Sequence, residues 1–389
     1  MFNLTSPEQF SNGVTDDSNI NTTSSPQLQQ ELFLPCDNPE NILPKITADT
    51  VKRVFQIGVL PLLELFGVAG NLLNCVVFTR NGLGDRINLC LFCLSVADAG
   101  FLISIFIAKN HSLLALFDDE LERFWSAAYV AYTPTFVLGF LNLSNLLTMV
   151  ISLERCACVL FPFTAKRIMK TKYMAVAVVA VCTTFFGLYS LINTQFLVVR
   201  LQDAKGDQTR WVLKVSTFYL NNRALVDGIT VMSIWVPCIS IAVVATATAV
   251  TVGRLRLTVI QRQELTQDQQ TVTKETAVTN MLIAVCVVYV TCLTPSVTQM
   301  LCRSFLPGYH PSEKYCNLFA VLQTFSNLLE VTNSSVNVLV YLTMGSRFRS
   351  TARSIFRIRR FEESHRNKKR DLSGVTVSGA LSSIDSAKQ

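Results

Sequence analysis

An acid inside a hydrophobic stretch is the first chemical signal in this sequence. Asp98 lies within the apolar segment Leu89–Ala108, at the end of Leu94-Ser-Val-Ala-Asp98. A carboxylate at mid-membrane depth costs about 2.5–3.5 kcal/mol on insertion scales, so it must face polar groups or a cation. Other hydrophobic segments supply candidate neighbours, namely Asn71, Ser144, Asn333, Ser334 and Asn337. One carboxylate among neutral oxygens favours a bound sodium ion; the alternative is that these groups only join helices by hydrogen bonds.

The last hydrophobic segment carries polar residues at a helical spacing. Glu330, Asn333, Asn337 and Tyr341 follow one another at intervals of three or four residues, which places them on one face of a helix. That face is predicted to look into a bundle rather than into lipid. Glu330 lies about two helical turns from Asn337. An acid at such a depth indicates a functional site.

A pair of opposite charges ends the third hydrophobic segment. Glu154 and Arg155 are adjacent there, and Glu275 precedes the sixth segment at the same end of the bundle. An arginine between two carboxylates forms a charge clasp that can open; the alternative is an ordinary pair of long side chains that reach the interface. No catalytic or metal-binding arrangement accompanies them, because the three histidines are scattered and no phosphate loop or nucleophile motif occurs. The sequence therefore predicts neither an enzyme nor a resident cofactor.

The elements that must position these residues are membrane helices. Half of the 389 residues are hydrophobic and 16% are charged, against about a quarter charged in soluble proteins. We predict an all-α membrane protein, a seven-transmembrane helix bundle with a short amphipathic helix after the last span. Seven stretches have the length of about 20 mainly apolar residues that a bilayer requires: Phe55–Phe78, Leu89–Ala108, Ser126–Ser152, Met174–Leu197, Gly228–Val252, Ala277–Leu301 and Asn317–Leu342.

The distribution of charge predicts how the bundle sits in the plasma membrane. The first 44 residues hold six acids and no Lys or Arg, whereas the tail from Ser346 holds eleven Lys and Arg. The positive-inside rule places the amino terminus outside, although residues 200–223 add five basic residues on that side. The predicted parts are a disordered glycosylated extracellular tail at 1–53, the bundle at 54–345, a membrane-lying amphipathic helix at 346–360 and a disordered cytoplasmic tail at 361–389.

The predicted outer side carries two kinds of modification. Asn3 and Asn21 begin glycosylation sequons. Nine of the twelve cysteines lie in or against the spans, where Cys behaves as a small apolar residue. Cys36, Cys302 and Cys316 remain for one disulfide in an oxidising exterior, and the sequence leaves their pairing open.

Six short motifs follow one another in order along the predicted spans. They are Gly70-Asn71, Leu94-Ser-Val-Ala-Asp98, Glu154-Arg155 with Pro162, Pro237, Cys292-Leu-Thr-Pro295 and Asn337-Val-Leu-Val-Tyr341. Over residues 54–357 their order resembles the rhodopsin-like (class A) G-protein-coupled receptors. The resemblance implies an extracellular ligand and a heterotrimeric G protein as partners. It implies a sodium site at Asp98, Ser144, Asn333, Ser334 and Asn337, and an activation switch at Glu154, Arg155, Glu275 and Tyr341.

Departures from the family pattern narrow these expectations. Leu293 stands where the family has a Trp, Val338 replaces a Pro and Ala245 replaces a Tyr, which puts the activation geometry in question. Val137 at the amine-binding position argues against a biogenic amine, and Val331 at the retinal-lysine position argues against an opsin. The pattern resembles divergent invertebrate peptide or chemosensory receptors. A peptide ligand is therefore expected first, and a small chemical cue next.

The outer half of the bundle is the predicted ligand pocket. In this family the second and seventh segments are neighbours there, so Lys109 at the end of the second is a candidate partner of Glu330. The other candidate partner is a cationic group of the ligand. The alternative to both is a structural Glu330–Lys109 pair without ligand contact. The further predicted pocket residues are Tyr132, Phe136, Gln299 and Gln323.

Two other functions are kept as alternatives. A secondary transporter or channel would show duplicated halves with helices broken at matching positions, and the sequence shows no such duplication. A non-signalling seven-helix decoy receptor would fit Leu293, Ala245 and Cys156. The basic run at residues 366–370 is expected to contact membrane lipid or the G protein rather than nucleic acid.

Overall fold

The computed structural model describes residue 36 and residues 41–110, 118–161, 170–202, 209–263, 269–309 and 314–356. Within these ranges, the side chains of residues 130, 202, 209, 210, 258–263 and 269–277 are not described. The predicted sequons at Asn3 and Asn21 lie outside the described residues, as do the tail at 361–389 and most of the tail at 1–53.

Helices make up most of the described chain. α1 (Lys45–Arg53) continues through a π-helical turn (Val54–Val59) into α2 (Leu60–Asn81). The next four are α3 (Arg86–Lys109), α4 (Asp119–Tyr132), α5 (Pro134–Leu160) and α6 (Thr171–Ser190). After a hairpin follow α7 (Thr217–Asn221), α8 (Arg223–Gln263), α9 (Gln269–Phe305) and α10 (Cys316–Met344). Residues 346–356 form α11.

Six of the described helical segments are long and apolar enough to cross a membrane. They contain α2, α3, α5, α6, α8 and α9, and each overlaps one of the predicted spans. α10 has 29 residues, but its composition is more polar than that of the six. Its buried residues include Glu330, Asn333, Asn337 and Tyr341, the face that the spacing of polar residues predicted to point inward.

The long helices form a closed ring. α2 packs on α3 and α10, α3 packs on α5, α5 packs on α8 and α9, and α9 packs on both α8 and α10. α6 lies outside this ring against α5, with Tyr189 its sole fully buried residue. The end of the bundle at which α2 begins is called the outer end here, and the other the inner end. α5 contacts α3, α6, α8 and α9. A movement of α5 at the outer end would therefore reach most of the bundle.

The predicted third span, Ser126–Ser152, is two helices. Thr133 separates α4 from α5, and Pro134 is the first residue of α5. A proline lacks the N–H that would continue the helical hydrogen bonds of α4, but it fits the first turn of a new helix. The crossing helix therefore starts at Pro134 and extends to Leu160, eight residues farther than predicted.

A β-hairpin stands where the sequence predicted the end of the fourth membrane helix, so the all-α prediction was wrong in this segment. The helix predicted to reach Leu197 ends at Ser190. β1 (Phe196–Gln202) then pairs antiparallel with β2 (Thr209–Val215), with Phe196 opposite Val215. Phe196 and Leu197 were predicted as the end of the membrane helix, but the β-branched Val198 and Val199 that follow them favour a strand.

Both ends of the bundle are tied by further contacts. At the outer end, a disulfide joins Cys36 to Cys316, the first residue of α10, while Cys302 is a free thiol. The bundle begins at Lys45 rather than at residue 54, because α1 is continuous with α2 and packs on α10. At the inner end, α11 buries Phe348 and Ala352 against the bundle.

Candidate functional site

Asp98 lies at the centre of the ring, in the middle of α3, without solvent exposure. The Ser144 hydroxyl of α5 donates a hydrogen bond to Asp98 Oδ1 at 2.6 Å. The Asn337 amide of α10 donates to Asp98 Oδ2 at 2.8 Å. Hydrogen bonds to a carboxylate are about twice as strong as those between neutral groups. Asp98 therefore holds α3, α5 and α10 together.

Ser334 and Asn333 complete the predicted sodium set, and their surroundings differ. The Ser334 hydroxyl lies beside the Asp98 carboxylate and is fully buried, without a hydrogen bond in the described part of the chain. The Ser334 carbonyl accepts from Asn71 Nδ2 at 2.7 Å. Asn333 is buried one residue earlier, where no described hydrogen bond joins it to Asp98. The structure therefore gathers Asp98, Ser144, Ser334 and Asn337 more closely than Asn333.

Glu154, near the inner end of α5, is 4% exposed, and two arginines share its carboxylate. Oε2 pairs with the adjacent Arg155, and Oε1 pairs with Arg86 Nε at 2.8 Å. The Cys158 thiol donates to the same Oε1 at 3.3 Å. Arg86, the first residue of α3, was not among the predicted site residues. An arginine at a membrane boundary is ordinary, so the sequence carried no signal for it.

Tyr341, a further predicted switch residue, makes no described contact with this pair. Tyr341 is fully buried, and its hydroxyl has no hydrogen-bond partner among the described residues. Its ring packs edge-on against Phe78 of α2, 5.3 Å between centroids, and lies 5.6 Å from Phe348 of α11. The side chain of Glu275 lies outside the described residues. Tyr341 therefore ties α2, α10 and α11 together at the inner end.

A second polar link connects α5 with α8 and α9. Tyr289 of α9 is 1% exposed and donates a hydrogen bond to Ser240 Oγ of α8 at 2.8 Å. Ser240 in turn donates to the Asn145 carbonyl of α5 at 3.0 Å. None of the three was predicted as functional. A single Tyr among the valines of residues 287–290 was the available signal, because a buried tyrosine usually finds a hydrogen-bond partner.

A cavity of about 300 Å³ lies in the outer half, between α5, α8, α9 and α10. Gln299, Gln323 and Glu330, three of the predicted pocket residues, line it. Gln299 is fixed in position, because its Nε2 donates to the Phe319 carbonyl at 3.2 Å and its Oε1 accepts from Ser326 at 2.8 Å. Leu293 and Pro237 also line the cavity. Its volume is that of a small ligand site.

A second cavity of about 210 Å³ adjoins the first, between α3, α4, α5 and α10. Lys109 lines it, together with Gln323 and Glu330. The two cavities share Glu330, Gln323, Leu138, Leu141 and Phe319 in their walls. Glu330 therefore lies on the wall shared by the two cavities, which together form one outer pocket.

Three ionisable residues are buried beside this shared wall. Both carboxylate oxygens of Glu64 in α2, and Lys109 Nζ, are buried without a hydrogen-bond partner in the described part. Lys109 interacts electrostatically with Glu330 and with Glu64, but no direct ion pair joins it to either within the described residues. Sequence analysis missed Glu64, although a lone acid inside the first hydrophobic segment is the same signal that identified Asp98.

Tyr132 and Phe136, the remaining predicted pocket residues, do not line either cavity. Tyr132 is 44% exposed and Phe136 is 52% exposed. Both were placed on an unbroken third helix. They were predicted from their depth in the third span, and the structure breaks that span between them at Thr133.

Comparison with known proteins adds to this geometry. The family model for the serpentine type 7TM GPCR chemoreceptor Srw matches residues 59–359. Neuromedin-U receptor 2 of Mus musculus is 24% identical over 306 residues, which cover 76% of this chain and 73% of the relative. Galanin receptor 2a of Danio rerio is 22% identical over 309 residues, 79% of each chain. The similarity spans the bundle from α2 to α11.

Proposed function

Because the chain belongs to the serpentine Srw family of seven-transmembrane, G-protein-coupled chemoreceptors, we propose that it binds an extracellular ligand and activates a heterotrimeric G protein. One observation carries the proposal. α5 lines the outer pocket with Leu138, Leu141 and Asn142, contacts the central Asp98 through Ser144, and ends in the Glu154–Arg155 pair. A ligand that displaces α5 at the outer end acts on both buried polar groups.

α10 is the proposed seventh span. Its 29 residues extend about 43 Å at 1.5 Å per residue, more than the ~30 Å thickness of the hydrocarbon. Its large exposed residues are apolar, among them Phe325 at 40% and Leu339 at 46%, whereas Asn337 and Glu330 are buried. Apolar residues outside and polar residues inside are what a helix needs between lipid and a bundle interior.

The proposed location is the plasma membrane, with the amino terminus outside. The excess of Lys and Arg in the tail from Ser346 supports this orientation. The disulfide between Cys36 and Cys316 lies at the outer end, and disulfides persist in oxidising compartments. α11 at residues 346–356 is proposed to lie on the inner leaflet, because Phe348 faces the bundle while Arg347, Arg349 and Arg353 supply positive charge for anionic lipid.

The ligand is proposed to be a peptide, with a small chemical cue as the second candidate. Relatives named as receptors for neuromedin-U and galanin support the first. The family description as a chemoreceptor supports the second. The departures Leu293 and Val338 are both buried and packed, so the bundle accommodates them, and coupling to the G protein is kept as the proposal over a silent decoy.

Sodium is proposed as an allosteric ion at Asp98. The buried Ser334 hydroxyl without a hydrogen bond leaves an oxygen available beside the carboxylate. Carboxylate and hydroxyl oxygens suit hard cations. Ser144 and Asn337 hold the carboxylate in place, and Asn333 would have to turn toward it to take part. A bound ion would stabilise the arrangement that it contacts by mass action.

A screen in cells tests the receptor function. Cells that express the full chain are exposed to a panel of peptides and small organic cues, with second-messenger readouts for each G-protein class. Arg155→Ala is the control variant, because it removes the proposed G-protein switch and leaves the outer pocket intact. A response in wild type that Arg155→Ala abolishes supports the proposal. Ligand-dependent ion or solute flux without such a response would favour a transporter or channel.

A further inference from the structure

Three charged side chains are buried together in the outer half, and two of them, Glu64 and Lys109, lack the hydrogen-bond partners that buried charges need; Glu330 has Ser296 beside it. Glu64 and Glu330 are 1% and 5% exposed, and Lys109 Nζ is fully enclosed. Removing an ion from water without a partner costs several kcal/mol. The Glu64 carboxylate and the Lys109 ammonium nevertheless make no described hydrogen bonds. Opposite charges that compensate one another at a distance, or a bound group of opposite charge, stabilise such an arrangement.

Only part of this cluster faces the pocket. Lys109 and Glu330 line the second cavity, and Glu330 also lines the first. Glu64 lines neither of them, but it acts electrostatically on Lys109. The two acids, Glu64 and Glu330, and the one base, Lys109, give the cluster a net charge of −1. Because Glu330 lines both cavities and Glu64 lines neither, the excess negative charge is presented to the pocket at Glu330.

Among the described side chains, the other charged groups on the pocket wall do not act on Glu330. Asp227 lines the first cavity, but its carboxylate accepts from Tyr219 Oη at 2.9 Å and from Arg223 at 3.3 Å. Arg303 also lines the first cavity. Among the described side chains, the cation that acts on Glu330 is Lys109.

We infer that the ligand presents a cationic group, an ammonium or guanidinium, to Glu330, while Glu64 retains the charge of Lys109. The inference rests on the proposed receptor function and names the chemistry of its ligand. A bound cation makes the cluster neutral, with two acids and two bases. A bound carboxylate would set three acids against one base at low dielectric, where like charges repel strongly. A peptide with a basic residue or a free terminal amine has the required group.

Three small probes of equal chain length separate the charge of the ligand from its shape. They are butylguanidinium, its neutral isostere butylurea, and the anion pentanoate. The full chain is reconstituted in nanodiscs of neutral lipid, and the melting temperature is followed as each probe is titrated. Wild type is expected to be stabilised by butylguanidinium and unaffected by the other two at the same concentrations.

Variants then assign the effect to the cluster. Glu330→Gln should weaken butylguanidinium binding about 10- to 150-fold, the equivalent of one charged hydrogen bond. Lys109→Gln should strengthen it, because it leaves two acids without a base. Glu64→Gln should weaken it, because the freed charge of Lys109 then opposes the ligand. Glu120→Gln is the matched control, since Glu120 lies on α4, half exposed and paired with Arg200 at 3.1 Å.

Opposite shifts for Lys109→Gln and Glu330→Gln support the inference, since a merely structural role gives no such pattern. If Glu330→Gln fails to fold, the opposite shifts expected of Lys109→Gln and Glu64→Gln decide. Equal stabilisation by butylurea, or preference for pentanoate, would overturn it. So would an agonist without a cationic group, a result that leaves the receptor function itself intact. Failure of G-protein activation with every ligand would instead refute the receptor function.

Discussion

Replacing Arg86 by methionine tests whether the buried Glu154 restrains the resting receptor. Glu154 is 5% exposed at its side chain and holds Arg155 on one oxygen and Arg86 on the other. Arg86→Met keeps an unbranched apolar stem but removes the guanidinium, with its charge and its hydrogen bond to Glu154. A hydrogen bond to a charged group contributes about 1.5–3 kcal/mol. The resting arrangement should lose about that much relative to any state in which Glu154 and Arg86 are already apart.

The loss corresponds to a shift of about 10- to 150-fold between the two states. A receptor that is about 1% active without ligand, within the usual range for a minor state, would become roughly 10–60% active. The assay is nucleotide exchange on purified G protein by vesicles that contain equal amounts of receptor, without ligand. Arg349→Met is the control, because Arg349 is exposed at the same end and donates to the Thr343 carbonyl instead of an acid. Equal basal exchange in Arg86→Met and wild type would refute the reasoning.

Three further predictions concern stability, each measured as a melting temperature in one detergent. Sodium should stabilise wild type but not Asp98→Ala; identical wild-type curves with and without sodium would exclude the site. Gly70→Ala should lower the free energy of unfolding by about 1–3 kcal/mol, because the added Cβ would lie 2.6 Å from a side-chain atom of α10. Gly58→Ala is the control and should be neutral, because a Cβ added there meets nothing within 4 Å. Cys36→Ser should lower the melting temperature and Cys302→Ser should not, since the disulfide joins Cys36 to α10; equal effects would contradict that pairing.

The crossing helices could be predicted because hydropathy reports directly on the lipid environment. α2, α3, α5, α6, α8 and α9 all overlap predicted spans. What hydropathy cannot distinguish is an apolar strand from the end of an apolar helix, so β1 was missed. It also does not register a break, because Thr133 and Pro134 sit in a segment that is apolar on both sides.

Residues of the candidate site could be predicted where a single residue departs from the apolar composition of its own segment. Asp98 and Glu330 are acids within apolar segments, and both are buried in the ring. Glu64 departs in the same way and was overlooked. Arg86 does not, since an arginine at a membrane boundary is ordinary, and only the three-dimensional distance to Glu154 identifies it. The pairing of Cys36 with Cys316 is likewise a fact of tertiary structure.

Nucleotide exchange driven by ligand is the most direct measurement of the central claim. The full chain is reconstituted with purified heterotrimeric G protein of each class, and exchange is followed while candidate peptides are added from the outer side. We expect at least one peptide to accelerate exchange on one class for wild type, and Arg155→Ala to abolish that acceleration. A peptide shown to bind the outer pocket that accelerates exchange on no G protein would contradict the account.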